Sequence, residues 1–135
     1  MTARKAKPVR SPYSLTCREA DRAIRWFQTY HKFAYDVMPE LQDDPPEWVD
    51  YGGVGHAGQS WADHTGLTCR VWVSKRGTRE YDIQTGTQSS TLQTLFHELS
   101  HCLLDSRGLD KHDQHAEWIA EDMARMCVFV YQHGG

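Results

Sequence analysis

Two histidines of the segment HELSH, residues 97–101, are four positions apart, and a glutamate follows the first of them. On a helix, residues four apart lie on one face, so His97 and His101 can direct imidazole nitrogens at the same metal ion. Glu98 stands beside them, where its carboxylate can accept a proton from a metal-bound water. This arrangement is typical of zinc hydrolases, whose sites combine such ligands with an open coordination position.

The sequence around this segment predicts the helix that the geometry requires. Apolar residues recur at helical spacing and form one face: Leu92, Leu95, Phe96, Leu99 and Leu103. Since the two histidines and Glu98 lie off that face, the core side and the metal side of the helix are distinct. We expect the helix to end near Gly108, a typical C-terminal cap.

A final helix is predicted after a short loop, with Asp110 or Asp113 as its cap and an end near Gln132. One row along it places two carboxylates among small residues: Glu117, Ala120, Glu121, Ala124 and Val128. Carboxylates that face another helix need a partner, and a metal ion is the simplest one. We therefore predict that Glu117 is the third ligand and that Glu121 holds the far nitrogen of a ligating histidine.

Other third ligands stay open from the residues alone. His112 and His115 lie in the loop between the two helices, whereas Asp105 shares a helix with the histidines and has poor geometry for a third ligand. A metzincin would need glycine and histidine where Leu104 and Arg107 stand, so that class is excluded. We expect Zn²⁺, although two histidines and a glutamate also accept other divalent ions.

HELSH followed by EWIAE, residues 117–121, resembles the HExxH…ExxA(D/E) pattern of gluzincin metallopeptidases. The sequence is most similar to the short zincin-like domains of ArdC-type antirestriction proteins, and more distantly to ImmA/IrrE-type peptidases, over roughly residues 80–132. The resemblance implies Glu117 as the ligand and Glu121 as the supporting acid. It also implies an α+β, zincin-like fold: an N-terminal helix, a small twisted, mainly antiparallel sheet, and the two metal-bearing helices. The sequence departs from the pattern at residues 102–104, CLL, where such domains carry a small residue and glycine.

The sequence before this region predicts one helix and several strands. Thr16 and Glu19 fit a capping box that starts a helix, which we expect to reach about Val37 and to stop before Pro39. An acidic loop over residues 39–47 and a short strand over residues 48–51 should follow.

Residues 53–58 match GxGxxG, but the turn and strand pattern after them argues against a dinucleotide site. Residues 68–73 and 80–83, separated by a turn, predict an antiparallel hairpin. Either strand offers an edge to which an extended peptide can add.

Length and composition fit one compact domain, because 135 residues with 39% hydrophobic and 24% charged content can bury a core. Residues 1–12 contain four basic residues and no acid, so with a net charge of −3 the remaining chain carries −7. We predict a flexible basic leader over residues 1–14 and a single zincin-like metallopeptidase domain over residues 15–135. The leader is also a possible weak contact for nucleic acid.

No apolar run is long enough to span a membrane, and no secretory signal is present at the N-terminus, so we expect a cytoplasmic protein without membrane partners. The four cysteines form no CxxC pair, and we expect them to be free and largely buried thiols.

These features favour a zinc metallopeptidase that hydrolyses a peptide or protein substrate, with Glu98 as the general base. Tyr81, Tyr131 and His115 are the candidates for stabilising the oxyanion. The alternative hypothesis is an antirestriction-type module that binds DNA or a protein and holds a mainly structural metal. A metal-free α+β domain is the third possibility.

Overall fold

The computed structural model describes residues 11–50 and 56–134. The elements in these ranges are, in chain order, α1 (Cys17–His31), β1 (Asp36–Leu41), β2 (Gly58–Asp63), β3 (Thr68–Val73), α2 (Lys75–Thr85), α3 (Thr91–Ser106) and α4 (Gln114–His133). The fold is α+β, as the sequence predicts. In the described part of the chain, no helix combines the length and the apolar character that crossing a membrane requires.

The sheet has three strands and is mixed, which corrects the expectation of a mainly antiparallel sheet. β3 lies in the centre, with β2 antiparallel on one side and β1 parallel on the other. A short turn joins β2 to β3 and forces the antiparallel pairing. The chain reaches β3 from β1 only after passing through β2, and a connection of that length allows the parallel pairing.

Helix α3 is the element that the rest of the domain surrounds. It packs against α1, α4, β2 and β3. The apolar face predicted from its sequence is the face that is buried, with Leu95, Phe96, Leu99 and Leu103 in the core and Leu92 packed at its margin. Truncating one of these side chains to alanine would lower the free energy of unfolding by about 2–5 kcal/mol. The histidines of α3 are therefore held on a rigid support.

Helix α1 starts where predicted and ends earlier. The side chain of Thr16 accepts a hydrogen bond from the Glu19 amide, which completes the predicted capping box. The helix stops at His31 instead of near Val37, because Lys32 adopts a left-handed backbone with φ 52°. Phe33 then turns back onto the core, so the apolar pattern that suggested a longer helix belongs to the connection after it.

Two further predictions in this region are wrong. Residues 39–41, assigned to an acidic loop, belong to β1, and Pro39 is tolerated there because β1 is an edge strand. Trp48 and Val49 form no strand; the Trp48 indole instead donates to Glu40 at 2.7 Å, and its ring contacts the Arg70 guanidinium of β3. The rest of that predicted strand, and the glycines at 52, 53 and 55, lie outside the described residues.

The returning strand predicted over residues 80–83 is wrong, because these residues lie in α2. Ser74 caps that helix by accepting from the Gly77 amide, and the alternating pattern of four residues is too short to distinguish a strand from a helix. Its buried positions are Gly77, Thr78 and Asp82, and the last two are four apart. The hairpin of the sheet is formed by β2 and β3.

The segment before α1 contacts the body of the domain from Pro12 onward. The Thr91 amide donates to the Pro12 carbonyl at 3.0 Å, and the Tyr13 hydroxyl donates to the Asp82 carboxylate at 2.8 Å. The basic residues 4–10 of the predicted leader lie outside the described residues. Three cysteines are buried free thiols as expected, whereas Cys17 is exposed.

Candidate metal centre

Two imidazoles of α3 meet at one point on its surface, as the HELSH spacing predicts. The Nε2 atoms of His97 and His101 lie 3.2 Å apart, with ring centroids separated by 4.9 Å. Both residues occupy the middle of the helix, and the backbone around them is fixed by the core face described above. The backbone positions of the two histidines are therefore set by the helix itself.

Glu117 closes the group from the first turn of α4. Its Oε2 atom lies 3.0 Å from Nε2 of His97, and its Oε1 atom lies 2.9 Å from Nε2 of His101. Among the described residues, these three form the one cluster whose ligand atoms all lie within 4.8 Å of one another and can hold a metal ion. His112 and His115, the alternative third ligands, are exposed and take no part in it.

Each histidine is held at its other ring nitrogen by a carboxylate. Glu121 lies 2.7 Å from Nδ1 of His97, where the sequence predicts a supporting acid, and Gln93 donates to the same carboxylate. Asp110 lies 2.7 Å from Nδ1 of His101, and only 1% of its side chain is exposed. These bonds fix both rings with Nε2 directed at the cluster.

The role of Asp110 is the part of the site that sequence reasoning missed. The sequence analysis considers Asp110 only as a helix cap, and the structure assigns the cap to Asp113, whose side chain accepts from the Ala116 amide. Asp110 follows the turn that ends α3, and the His112 amide donates to its second oxygen at 2.9 Å. No periodicity marks such a loop residue, and only the short return of the chain toward α3 could have suggested it.

Glu98 lies beside the cluster and is only 7% exposed. Its carboxylate is in contact with the start of β2, where a Cβ placed on Gly58 would lie 3.2 Å from it, and it is hydrogen-bonded by Ser60. Burial raises the pKa of this carboxyl, and the neighbouring His97 and His101 counteract that shift. A carboxylate with a raised pKa beside a metal site is suited to accepting and releasing a proton.

Without a metal, the cluster behaves as a network of ion pairs. Burial lowers the pKa of His97, but hydrogen bonds to Glu117 and Glu121 outweigh it and raise that pKa to about 10. The pKa of His101 is raised to about 9 by Glu117, Glu98 and Asp110, against the same effect of burial. Hydrogen bonds from both histidines hold the pKa of Glu117 well below its usual range.

The cluster lines a cleft with a volume of about 1060 Å³. Residues 56–62, which include most of β2, form one part of its wall, and Tyr81 and the loop residues 87–89 form another. Tyr81 is thus the one oxyanion candidate that borders the cleft. Tyr131 packs in the core against Trp26 and Phe96, and His115 is not among the residues that line the cleft.

Within residues 11–50 and 56–134, no strand pairs with the outer edge of β2, the strand that borders the cleft. The Ser74 amide donates to the Ala57 carbonyl, so in the register of β2 and β3 the backbone groups of residues 59, 61 and 63 point toward β3. Those of Gly58, Ser60 and Ala62 therefore point outward. Residues 80–83 and 69–73, the edges proposed from sequence, are a helix and the central strand, and neither offers a free edge.

Comparisons with known proteins give no assignment. No protein-family model, no curated protein and no solved structure matches the chain. The resemblance to gluzincins therefore stays a prediction from the sequence motif.

Proposed function

We propose that the protein is a zinc-dependent metallopeptidase of the gluzincin type, in which His97, His101 and Glu117 hold the metal and Glu98 is the general base. One observation carries the proposal: a buried glutamate lies directly beside a cluster of two histidines and a third carboxylate in an open cleft. Metallopeptidases of the HExxH class need the same four groups.

The donor atoms fit a small tetrahedral ion. With zinc bonds to nitrogen and oxygen of about 2.0–2.2 Å, tetrahedral ligand atoms lie about 3.3–3.5 Å from one another. The two Nε2 atoms lie 3.2 Å apart, and each lies 2.9–3.0 Å from a different oxygen of Glu117, so a modest adjustment would bring both nitrogens and one oxygen around the ion. The two Nε2 atoms are also poor partners for each other when both are protonated, whereas their lone pairs can converge on one cation.

When bound, zinc would act as a Lewis acid that lowers the pKa of water and polarises a peptide carbonyl. The chain's own residues supply the proton transfers. Glu98 accepts a proton from the attacking water and passes it to the nitrogen of the departing amine. Its burial keeps bulk water from competing for that proton, and its contact with Ser60 fixes the direction of the carboxylate.

The substrate would bind as an added strand along β2. The outward backbone groups of Gly58, Ser60 and Ala62 provide N–H donors and C=O acceptors that an extended peptide can pair with. This edge borders the same cleft as Glu98, so a peptide paired with it would pass beside the metal site.

The decisive experiment joins metal analysis to hydrolysis. We expect about one zinc per chain after purification without chelators, and cleavage of a quenched fluorescent peptide library that EDTA abolishes. His101→Ala should lose both properties, whereas His133→Ala, which changes an exposed histidine at the end of α4, should keep them.

A zinc content near zero after supply of the metal would contradict the proposal. Bound zinc without hydrolysis of any library would instead favour the alternative of a binding module with a mainly structural metal.

A further inference from the structure

The cleft carries a strong excess of negative charge. Its described lining includes six carboxylates: Asp50, Glu98, Asp105, Asp110, Glu117 and Glu121. Among those lining residues, Arg125 is the one lysine or arginine, and its guanidinium is paired with Asp122 on its own helix. A divalent ion at the histidine cluster would offset two of these charges and leave the cleft acidic.

Two of the carboxylates lie apart from the metal network. Asp50 is exposed, and Asp105 follows His101 by one turn of α3. The Asp105 carboxylate lies 3.2 Å from Nε2 of His64 in the turn between β2 and β3. Neither residue contributes to the cluster that can hold a metal.

The contact with His64 leaves part of the Asp105 side chain accessible at the edge of the cleft. Nδ1 of His64 lies 2.6 Å from the Tyr35 hydroxyl. The His64 ring contacts Oδ2 of Asp105, and 29% of the Asp105 side chain stays exposed to a ligand. The hydrogen bond also fixes the position of the carboxylate at the edge of the cleft.

The separation between Asp105 and the histidine cluster determines which residue of a bound peptide can reach Asp105. Asp105 lies one helical turn from His101 and two from His97, about 6–12 Å along the helix axis, which an extended peptide covers in about two to four residues. We infer that the cleft is selective for cationic peptides and that Asp105 recognises a lysine or arginine side chain about two to four residues from the scissile bond. This inference rests on the proposed function. It also implies that the phosphates of a nucleic acid are repelled from the cleft.

The test measures binding instead of turnover, in the full-length Glu98→Gln variant loaded with zinc. Fluorescein-labelled peptides of one neutral sequence would carry arginine, glutamine or glutamate at each position in turn, and fluorescence anisotropy would give the dissociation constants. We expect arginine at the favoured position to bind about tenfold tighter than glutamine, because a charge-assisted hydrogen bond is replaced by a neutral one. Glutamate should bind weakest, and raising the salt concentration should reduce the differences.

Asp105→Asn should remove most of the arginine preference, whereas the control Asp21→Asn, an exposed acid of α1 outside the cleft, should keep it. Equal affinity for the three peptide series, or no binding of any, would overturn the inference, and so would a preference that survives Asp105→Asn.

Because these dissociation constants do not depend on catalysis, the inference can fail while hydrolysis is observed. If zinc does not bind, the proposed function fails, and the same titration of the metal-free chain still tests the charge preference.

Discussion

The carboxylate of Asp110 lies 2.7 Å from Nδ1 of His101, and almost none of its surface is exposed to solvent. A buried acid in this position orients the ring and makes Nε2 a better donor to a metal. Glu121 has the same relation to His97, so each histidine is positioned by a residue from outside α3. The candidate metal centre is therefore built from α3, α4 and the loop between them.

We predict that Asp110→Asn lowers zinc affinity by about 10–100-fold, the usual effect of removing a carboxylate that supports a ligand histidine. Competition with a chromogenic chelator would measure the affinity. Asp113→Asn is the matched control, because Asp113 caps α4 a few residues away and asparagine is an equally good cap. Equal zinc affinity in both variants would show that Asp110 does not support the metal centre.

Glu98→Gln should keep the metal and lose hydrolysis. Glutamine has nearly the same shape as glutamate and can still hydrogen-bond to Ser60, but it cannot accept the proton of the attacking water. We expect the turnover number to fall by at least about 10²–10⁴-fold, the contribution typical of a general base, with one zinc still bound. Peptide cleavage at the original rate would remove Glu98 from the mechanism.

Metal-free protein should lose stability as the pH rises from about 6.5 to 10. The folded pKa values of His97 and His101, about 10 and 9, lie above the value of 6.5 for an unperturbed histidine, so the folded state binds the extra protons. Their contribution is complete below pH 6.5 and is lost as the pH passes through the folded values. The lowered pKa of Glu117 affects stability at low pH. Its contribution to the free energy of unfolding is complete above about pH 4.5 and is lost as the pH falls.

Urea unfolding in EDTA between pH 5 and 10 would measure this profile. Glu117→Gln removes the shared partner of both histidines and should flatten the decline at high pH. Zinc-loaded protein should not show the decline, because the metal replaces the protons and its affinity increases with pH. A metal-free profile that is flat from pH 6.5 to 10 would contradict the ion-pair network.

The parts of the site that the sequence predicts are those set by local periodicity. His97 and His101 share a helix, Glu117 and Glu121 share another, and one turn separates the members of each pair. The spacing within each pair follows from helix geometry alone. That the two helices pack together is suggested because Glu117 and Glu121 need a partner. Asp110 was not predicted because its role depends on where a loop returns in space.

The sheet was harder to predict for a related reason. Pro39 argues against a strand unless that strand is known to lie at an edge, and the edge is defined only by pairing with distant residues. In the same way, Glu80–Ile83 has the alternation of a strand, but the cap at Ser74 and the burial of Thr78 and Asp82 decide for a helix. Strand pairing is non-local, whereas a short sequence window reports only local preference.

Gly58 provides the last prediction, because it lies on the outer edge of β2 and in contact with Glu98, the proposed general base. A Cβ at this position would lie 2.5 Å from the carbonyl oxygen of Trp72 and 3.2 Å from the Glu98 carboxylate. The backbone oxygen cannot move freely, so Gly58→Ala must displace β2 or Glu98. We expect a loss of about 1–3 kcal/mol in the free energy of unfolding, as for other overpacked sites, and up to about 10²-fold in kcat/KM.

Zinc affinity should change little in the same variant, since His97, His101 and Glu117 do not contact Gly58, and this separates local displacement from general unfolding. Gly134→Ala is the control, because the nearest atom to a Cβ there is 3.6 Å away and the residue lies at the end of α4. Unchanged kcat/KM in Gly58→Ala would mean that β2 does not position Glu98, and the close approach of the two would then be a matter of packing alone.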